Sequence, residues 1–353
     1  MSQIYFAGTA KSILPNGDFI GVAPELKEAL HSLNHQSVDL EKSDTFIALN
    51  HSKSAFKAVL RQKRIKKKIL IRIEPDAVHP IQFTPRIERE YDLIVTPGGI
   101  PGLQKSRNFF TTPYRPSANQ LYPRLNDLNL REFISEHKLS RTLDFDHWLS
   151  RKNEVAFIAS NKVSPGSESN YKLRQEIVRN NLDGWLDVFG GGWDDSFVRK
   201  IYSSVRTIRY SLMSGAIPDI ASVLTGVFDQ FPKTLGHVPD KHLTLIHYKY
   251  NLVVENSNSF FTEKLLDALV NGCVPIYFGP KLDAFGIPDD VYLRFDGTLE
   301  CAKKLIDSLN EKELYNLKAA AKEFITHPEF TEHFSAQTVY TRIANEIHNL
   351  LVS

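Results

Sequence analysis

At 353 residues, 42% hydrophobic and 24% charged, the chain has the composition of a globular protein with room for two cores, which excludes a disordered or fibrous protein. Its 43 basic residues against 41 acidic ones leave a net charge of +2, which excludes a global field drawing the protein onto nucleic acid, so any basic site has to be local. No window approaches the roughly 18 uninterrupted apolar residues of a membrane span.

The chain opens on an apolar, strand-like run, Met1 to Phe6, without a basic lead or a long apolar core; no secretory signal is expected, and the protein is read as soluble and cytoplasmic. Strands are predicted at Ile4–Phe6, Thr45–Leu49, Ile69–Ile73 and Asp92–Thr96, with amphipathic helices at Pro24–Leu33 and Ser52–Arg64. A Pro- and Arg-rich stretch, Pro97–Arg124, interrupts the alternation, and Glu154–Ser160 (EVAFIAS) restarts it as a buried strand. There follow a helix over Tyr171–Asn180, a strand over Leu186–Phe189, a glycine run Gly190–Gly192, a strand over Asn251–Val254, a helix over Thr262–Asn271 and a strand over Val274–Phe278. The two cysteines, Cys273 and Cys301, fall in segments that read as buried strand edge and helix, so both are expected to be reduced. The C-terminal stretch Gln337–Leu351 has an amphipathic helical period. Strand–helix alternation of this kind implies parallel sheets, hence an α/β chain of two Rossmann-like domains facing a cleft: residues 1–150, residues 151–335, and a helix over 336–353 that packs back on the first domain.

The most informative segment is Tyr248–Pro280, YKYNLVVENSNSFFTEKLLDALVNGCVPIYFGP. It reads as strand, polar loop, helix and strand, with Thr262 as the expected N-cap, Leu265/Leu269 and Leu266/Val270 as the core stripe, and Gly272 as the left-handed stop. Such a crossover brings its loop and helix start to the carboxyl end of the sheet, where ligands bind. Lys264 is then unusual, because a cation in the first turn opposes the helix macrodipole at a cost of about 0.3–1 kcal/mol. An anion there, such as a diphosphate, would remove the conflict, with Glu263 accepting from ribose hydroxyls. Position alone leaves this open against an exposed Glu263–Lys264 pair on a solvated turn.

The string ENS, an aromatic, then TEKL.DAL..GCVPIY.G resembles the signature of the α1,3-fucosyltransferases, glycosyltransferase family ten, including bacterial-type members. The resemblance implies that Glu263 and Lys264 contact the ribose and diphosphate of GDP-fucose, that Phe260 lies near the guanosine, and that Glu255 and Asn256 line the pocket. Phe260 stands where the family often has tyrosine, so a hydroxyl contact is missing here. A second, shorter match runs through Ala156–Asn161 (AFIASN), Arg174 and Leu186–Gly190 (LDVFG), and implies Arg174 as the phosphate-contacting arginine, a role for which a planar, permanently charged fork is suited. Lys172 and Arg179 on the same helix are the alternatives, as is a solvated face with no ligand at all. A third match, Lys67–Pro75 (KKILIRIEP) followed by Tyr91–Thr96 (YDLIVT), implies Glu74 as the catalytic base at a strand end. Alternation puts Ile69, Ile71 and Ile73 on one face and Leu70, Arg72 and Glu74 on the other, so an ion pair between Arg72 and Glu74 is the competing reading. The glycine run Gly190–Gly192 fits no phosphate loop and marks a tight turn, and neither Pro97–Trp148 nor Asp194–Asp240 has a counterpart in the family.

Asp144-Phe145-Asp146 has the DxD form of a metal-held nucleotide site but follows no apolar strand, so a capping or surface role is expected; none of the 12 histidines falls in a metal-ligand motif. Arg61–Lys68 (RQKRIKKK) carries six basic residues in eight. The end of a helix would account for it, and an anionic membrane surface or acidic glycan is the alternative partner. Taken with the resemblance, these features imply an inverting, metal-independent fucosyltransferase without a cofactor, moving fucose from GDP-fucose to a hydroxyl of a glycan acceptor, with an α1,3-type linkage. The rivals are the same fold with another nucleotide sugar, and a non-catalytic glycan- or nucleotide-binding relative.

Overall fold

The computed structural model describes residues 1–8, 24–100, 108–110, 143–151, 153–162, 164, 169–195, 230–238 and 240–353, with a few further positions between 201 and 212. Most of the unmatched stretches 97–148 and 194–240 lie outside the described residues. The first sheet has six parallel strands, β1 (Gln3–Gly8), β2 (Gln36–Ser37), β3 (Thr45–Leu49), β4 (Lys67–Ile71), β5 (Leu93–Pro97) and β6 (Asn108–Phe110), in the order β2-β1-β3-β4-β5-β6. The second has five, β7 (Asn153–Ile158), β8 (Leu186–Phe189), β9 (Tyr248–Val254), β10 (Val274–Phe278) and β11 (Leu293–Arg294), in the order β11-β10-β9-β7-β8, also all parallel.

Parallel sheets are covered on both faces, so their strands are apolar runs, and Thr45–Leu49 is buried at every residue. On β4 the alternation has a physical consequence. Ile69 and Ile71 pack with the Pro24–Ser32 and Ala336–Val352 helices, whereas Leu70 faces Phe46, Phe56 and Tyr91 on the other side. Each fully buried Ile or Leu contributes about 1.5–3 kcal/mol. Val339, Ile343 and Ile347 bring the C-terminal helix into the first core, while Phe330 and Phe334, just before it, belong to the second. Leu143 and Trp148, assigned from sequence to the first domain, also pack in the second: Trp148 stands edge-on to Tyr250 and its indole donates to the Lys249 carbonyl at 2.8 Å.

Several elements have other bounds than predicted, each for a local reason. β4 stops at Ile71 rather than Ile73, because the Ile73 and Glu74 N–H groups turn to the Asn50 side chain instead of a ladder partner. The helix expected over Ser52–Arg64 runs only over Lys53–Val59, capped by Ser52, which accepts from Ala55 N–H. The basic run Arg61–Lys68 therefore starts just past the C-cap Leu60 and runs through the turn into the amino end of β4, so the helix end favours its first cations, and Lys67 and Lys68 already belong to the strand. Thr262 is not the N-cap of its helix, which spans Lys264–Val270 with Glu263 in that place. Leu265 to Val270 are all buried, and Gly272, at φ 69°, makes the predicted left-handed stop. Cys273 and Cys301 are both free thiols, and among the described residues no helix is long and apolar enough to cross a membrane.

The two domains meet through backbone as well as side chains. Phe261 N–H donates to the Gly98 carbonyl at 2.7 Å and Ile100 N–H to the Ser259 carbonyl at 3.0 Å, about an antiparallel bridge between Gly99 and Phe260. Phe83 of the first domain stands edge-to-face on Phe260 of the second, 5.9 Å between centroids.

Candidate active site

Because both sheets are parallel, the carboxyl ends of their strands converge, and there lies a cleft of about 550 Å³. A volume in the roughly 300–1,000 Å³ range suits a ligand of nucleotide size. The first domain contributes Ile73, Glu74 and Pro97; the second contributes the loops after β7, β8 and β9 and the start of the Lys264–Val270 helix.

Glu74 is presented by the turn that follows β4. Asn50, in the left-handed region at φ 57°, accepts from the N–H groups of Ile73 (2.8 Å) and Glu74 (3.0 Å) through one side-chain oxygen. The fully buried Gln82 donates to the Glu74 carbonyl at 2.8 Å and accepts from His51 N–H at 3.1 Å. The competing ion pair does not form: Arg72, 0% exposed, pairs with Glu88 at 2.8 Å and stacks on Phe83. Burial pushes the Glu74 carboxyl up from its ordinary value, Glu263 across the cleft adds to this, and Lys162 and Lys264 oppose it. These three charges are all on the other domain, and Glu74 lines the cleft between them.

On the second domain, the helix Tyr171–Arg179 turns Arg174 inward, where it is 2% exposed and lines the cleft; Lys172 and Arg179 are exposed and do not. The guanidinium lies over the Tyr171 ring and donates through Nη2 to the Val254 carbonyl, while Nε is buried without a partner. No carboxylate among the described residues forms a salt bridge with it. Burial lowers the guanidinium's pKa from its ordinary value, and Tyr171, Glu255 and Glu263 counter this at longer range. A buried charge in this condition costs several kcal/mol unless an anion compensates it.

Lys264 resolves differently from the expectation. Its ammonium donates to Thr262 Oγ1 at 2.7 Å and lies 3.5 Å from Glu255 Oε2. Glu255, 0% exposed, in turn accepts from Thr262 N–H (3.0 Å) and Thr262 Oγ1 (2.6 Å). The anion that offsets this cation at the helix start is therefore part of the chain, and the dipole conflict does not by itself require a bound diphosphate. Glu255, expected in the pocket lining, instead braces Thr262 and Lys264 from behind; Asn256, Phe260, Glu263 and Lys264 line the cleft. Phe260 is 1% exposed and is shared between the cleft and the domain contact.

Lys241 has no place in the sequence reading. Its ammonium bridges Glu263 at 3.1 Å and Asp267 at 2.7 Å on the cleft wall. Desolvation raises the Glu263 carboxyl, but Lys241, with Lys264, outweighs it and holds the group well below the usual carboxylate range. Reciprocally, desolvation disfavours the Lys241 charge and the two carboxylates more than restore it. Lys241 begins a five-residue helix with Asp240 as its N-cap, and that cap is the one local signal in the sequence that would have drawn attention to it. Gly190 also lines the cleft, at φ 126°, where a Cβ would stand 2.0 Å from the Ala159 carbonyl oxygen; the glycine lets the loops after β7 and β8 meet. Asp144 occupies a helix N-cap position with Asp146 in the first turn, and neither lines the cleft. No group of three or more His, Cys, Asp or Glu suited to a metal occurs among the described residues.

No family model and no curated protein sequence matches the chain. Among solved structures, an α1,3-fucosyltransferase is similar at 15% identity, over 100% of this chain and 90% of that one, with a TM-score of 0.50. Anabaena Alr3699/HepE, solved in complex with UDP-glucose, is similar at 10% identity, over 99% of this chain and 100% of that one, with a TM-score of 0.53. The likeness covers the chain through both sheets, and the fold is the two-domain GT-B arrangement seen in glycosyltransferases.

Proposed function

We propose that the chain is a glycosyltransferase that moves fucose from GDP-fucose to a hydroxyl of a glycan acceptor with inversion, in an α1,3-type linkage. The observation that carries the reading is Arg174: a buried guanidinium on the cleft wall with an unpartnered Nε and, among the described residues, no carboxylate in salt-bridge contact, opposite a carboxyl on the other domain. A nucleotide diphosphate supplies the missing anion, and Arg174 stabilises the charge that grows on it as the sugar departs. Glu263, ionised and partly exposed beside Lys241, is suited to accept from ribose hydroxyls. Lys264 contributes charge already half-offset by Glu255.

Glu74 takes the proton of the attacking hydroxyl. Its raised pKa makes it a stronger base than an ordinary glutamate, provided the pH leaves it ionised. Attack on the face opposite the departing diphosphate inverts the sugar carbon. The choice of guanosine and fucose rests on the resemblance of Tyr248–Pro280 to the α1,3-fucosyltransferases. HepE, solved with UDP-glucose on the same fold, supports a second reading with a uridine nucleotide. Thermal-shift measurements with GDP, UDP and ADP separate the two: stabilisation by GDP and not UDP is expected, and the reverse discards guanosine. A glycan-array transfer assay with GDP-fucose then tests the reaction, and nucleotide binding without transfer to any acceptor would mark a non-catalytic relative.

A further inference from the structure

Two residues beyond Glu74, Asp76 joins the domains through a single oxygen. Its Oδ1 accepts from Ser257 Oγ at 2.8 Å, from Ser259 Oγ at 3.1 Å, and from Ala77 N–H at 2.9 Å within its own turn. The serines are 0% and 4% exposed and are themselves linked: their hydroxyls lie 2.8 Å apart, and Ser259 N–H donates to Ser257 Oγ at 3.2 Å. Ser257 directly follows Asn256 on the cleft wall, and the backbone of Ser259 to Phe261 is already laid against Gly98 to Ile100. Asp76 itself does not line the cleft.

We propose that Asp76 is a positioning residue for transfer: by gathering Ser257 and Ser259 onto one oxygen it fixes the reach of Glu74 across the cleft to the donor. The proposal rests on the reading of Glu74 as the base. The turn Glu74-Pro75-Asp76 is short, and Asn50 and Gln82 pin its first residue, so moving Asp76 relative to Ser257 moves Glu74 relative to the second domain. Displacing a reacting group by about 1 Å can cost on the order of 10²-fold in rate. All three donors reach the same atom, so the latch needs an acceptor there rather than a negative charge.

The test is a set of variants read by kcat, KM and calorimetric GDP affinity. Asp76→Ala is expected to lower kcat by about 10²-fold with GDP affinity within about threefold of wild type. Asp76→Asn, which keeps an acceptor oxygen, recovers most of that loss. The double variant Ser257→Ala/Ser259→Ala reproduces Asp76→Ala from the other domain, and decides the matter should Asp76→Ala not fold. In a Glu74→Gln background, Asp76→Ala adds little, because there is no base left to position. The proposal is overturned by full turnover in Asp76→Ala, by an equal and independent loss in the Glu74→Gln background, or by Asp76→Asn losing as much as Asp76→Ala, which would make Asp76 part of the chemistry. Near-normal turnover in Glu74→Gln alone discards the base reading and this proposal with it; a large loss there with full turnover in Asp76→Ala discards the latch only.

Discussion

On the first domain's side of the cleft, the groups that touch Glu74 are neutral, the Asn50 and Gln82 amides, with the His51 ring and Tyr91 behind them; the one ion pair nearby, Arg72–Glu88, stands a step further back, where Arg72 donates to the Gln82 carbonyl at 2.7 Å. The second domain's side is organised by ions, with Lys241 between Glu263 and Asp267, Lys264 against Glu255, and Arg174 buried alone. Neutral hydrogen bonds fix direction while adding little field, which suits the role of base proposed for Glu74. Opposed charges keep a wall polar, and Arg174, without a salt-bridge partner among the described residues, is the cation on which the proposed diphosphate depends. On the proposed reading, chemistry belongs to the first wall and binding to the second, and each can be broken separately.

The largest effect is expected on the neutral wall. Glu74→Gln preserves shape but cannot take a proton, so kcat should fall by about 10²–10⁴ while GDP affinity measured by calorimetry stays unchanged. Near-normal turnover would make Glu74 structural. In the wild type, the acid limb of kcat/KM should lie above the ordinary glutamate range, since burial raises this carboxyl, and activity is lost as pH falls through it.

Acid should also loosen the neutral wall before the charged one. His51 is 4% exposed, and burial, then His79, pushes its imidazole down to about 4 from an ordinary 6.5. Between those values the unfolded chain binds the proton and the folded one does not, so stability falls as pH drops from 6.5 towards 4, by about 3 kcal/mol in all. Urea unfolding of wild type and His51→Gln across this range should show the extra loss only in the wild type; parallel curves would refute it. Glu263, held ionised by Lys241, adds its own loss only once pH falls below its ordinary 4.5, where the unfolded carboxyl takes up a proton and the folded one does not, so the upper part of the window isolates the imidazole.

On the charged wall, Arg174→Ala should weaken GDP by about 1.5–3 kcal/mol, the range for hydrogen bonds to a charged group. The fold should survive, since the lost hydrogen bond to the Val254 carbonyl and stack on Tyr171 are offset by relief of a buried charge. Unchanged GDP affinity would move the diphosphate elsewhere. Lys264→Ala behaves differently: it leaves the buried Glu255 with Thr262 as its remaining partner, so a stability loss of about 1–3 kcal/mol is expected from thermal unfolding. A variant as stable as wild type would show that Thr262 alone satisfies Glu255. The smallest effects belong to Lys172→Ala and Arg179→Ala, exposed on the same helix as Arg174, which should change GDP affinity and stability by no more than about 0.5 kcal/mol.

The sequence by itself carried what is local or periodic. Apolar runs such as Thr45–Leu49 and Glu154–Ser160 lie within or close to strands, because a strand covered on both faces has to be apolar throughout. Gly272 could be read as a stop from its place after a helical stripe, and alternation alone put Ile69 and Ile71 opposite Leu70. Arg174, Glu74, Asn256, Phe260, Glu263 and Lys264 all reach one cleft, since strand ends and helix starts on parallel sheets share an edge. Partnership was left to the tertiary structure. Arg72 sits two residues from Glu74 yet pairs with Glu88, the anion opposing Lys264 is Glu255 nine residues upstream, and Lys241 meets Glu263 from another helix. Asp76 finds its serines 181 and 183 residues away. Charge and hydrogen bonding depend on distances of a few ångströms in space, and sequence separation does not encode those until the two domains are packed together.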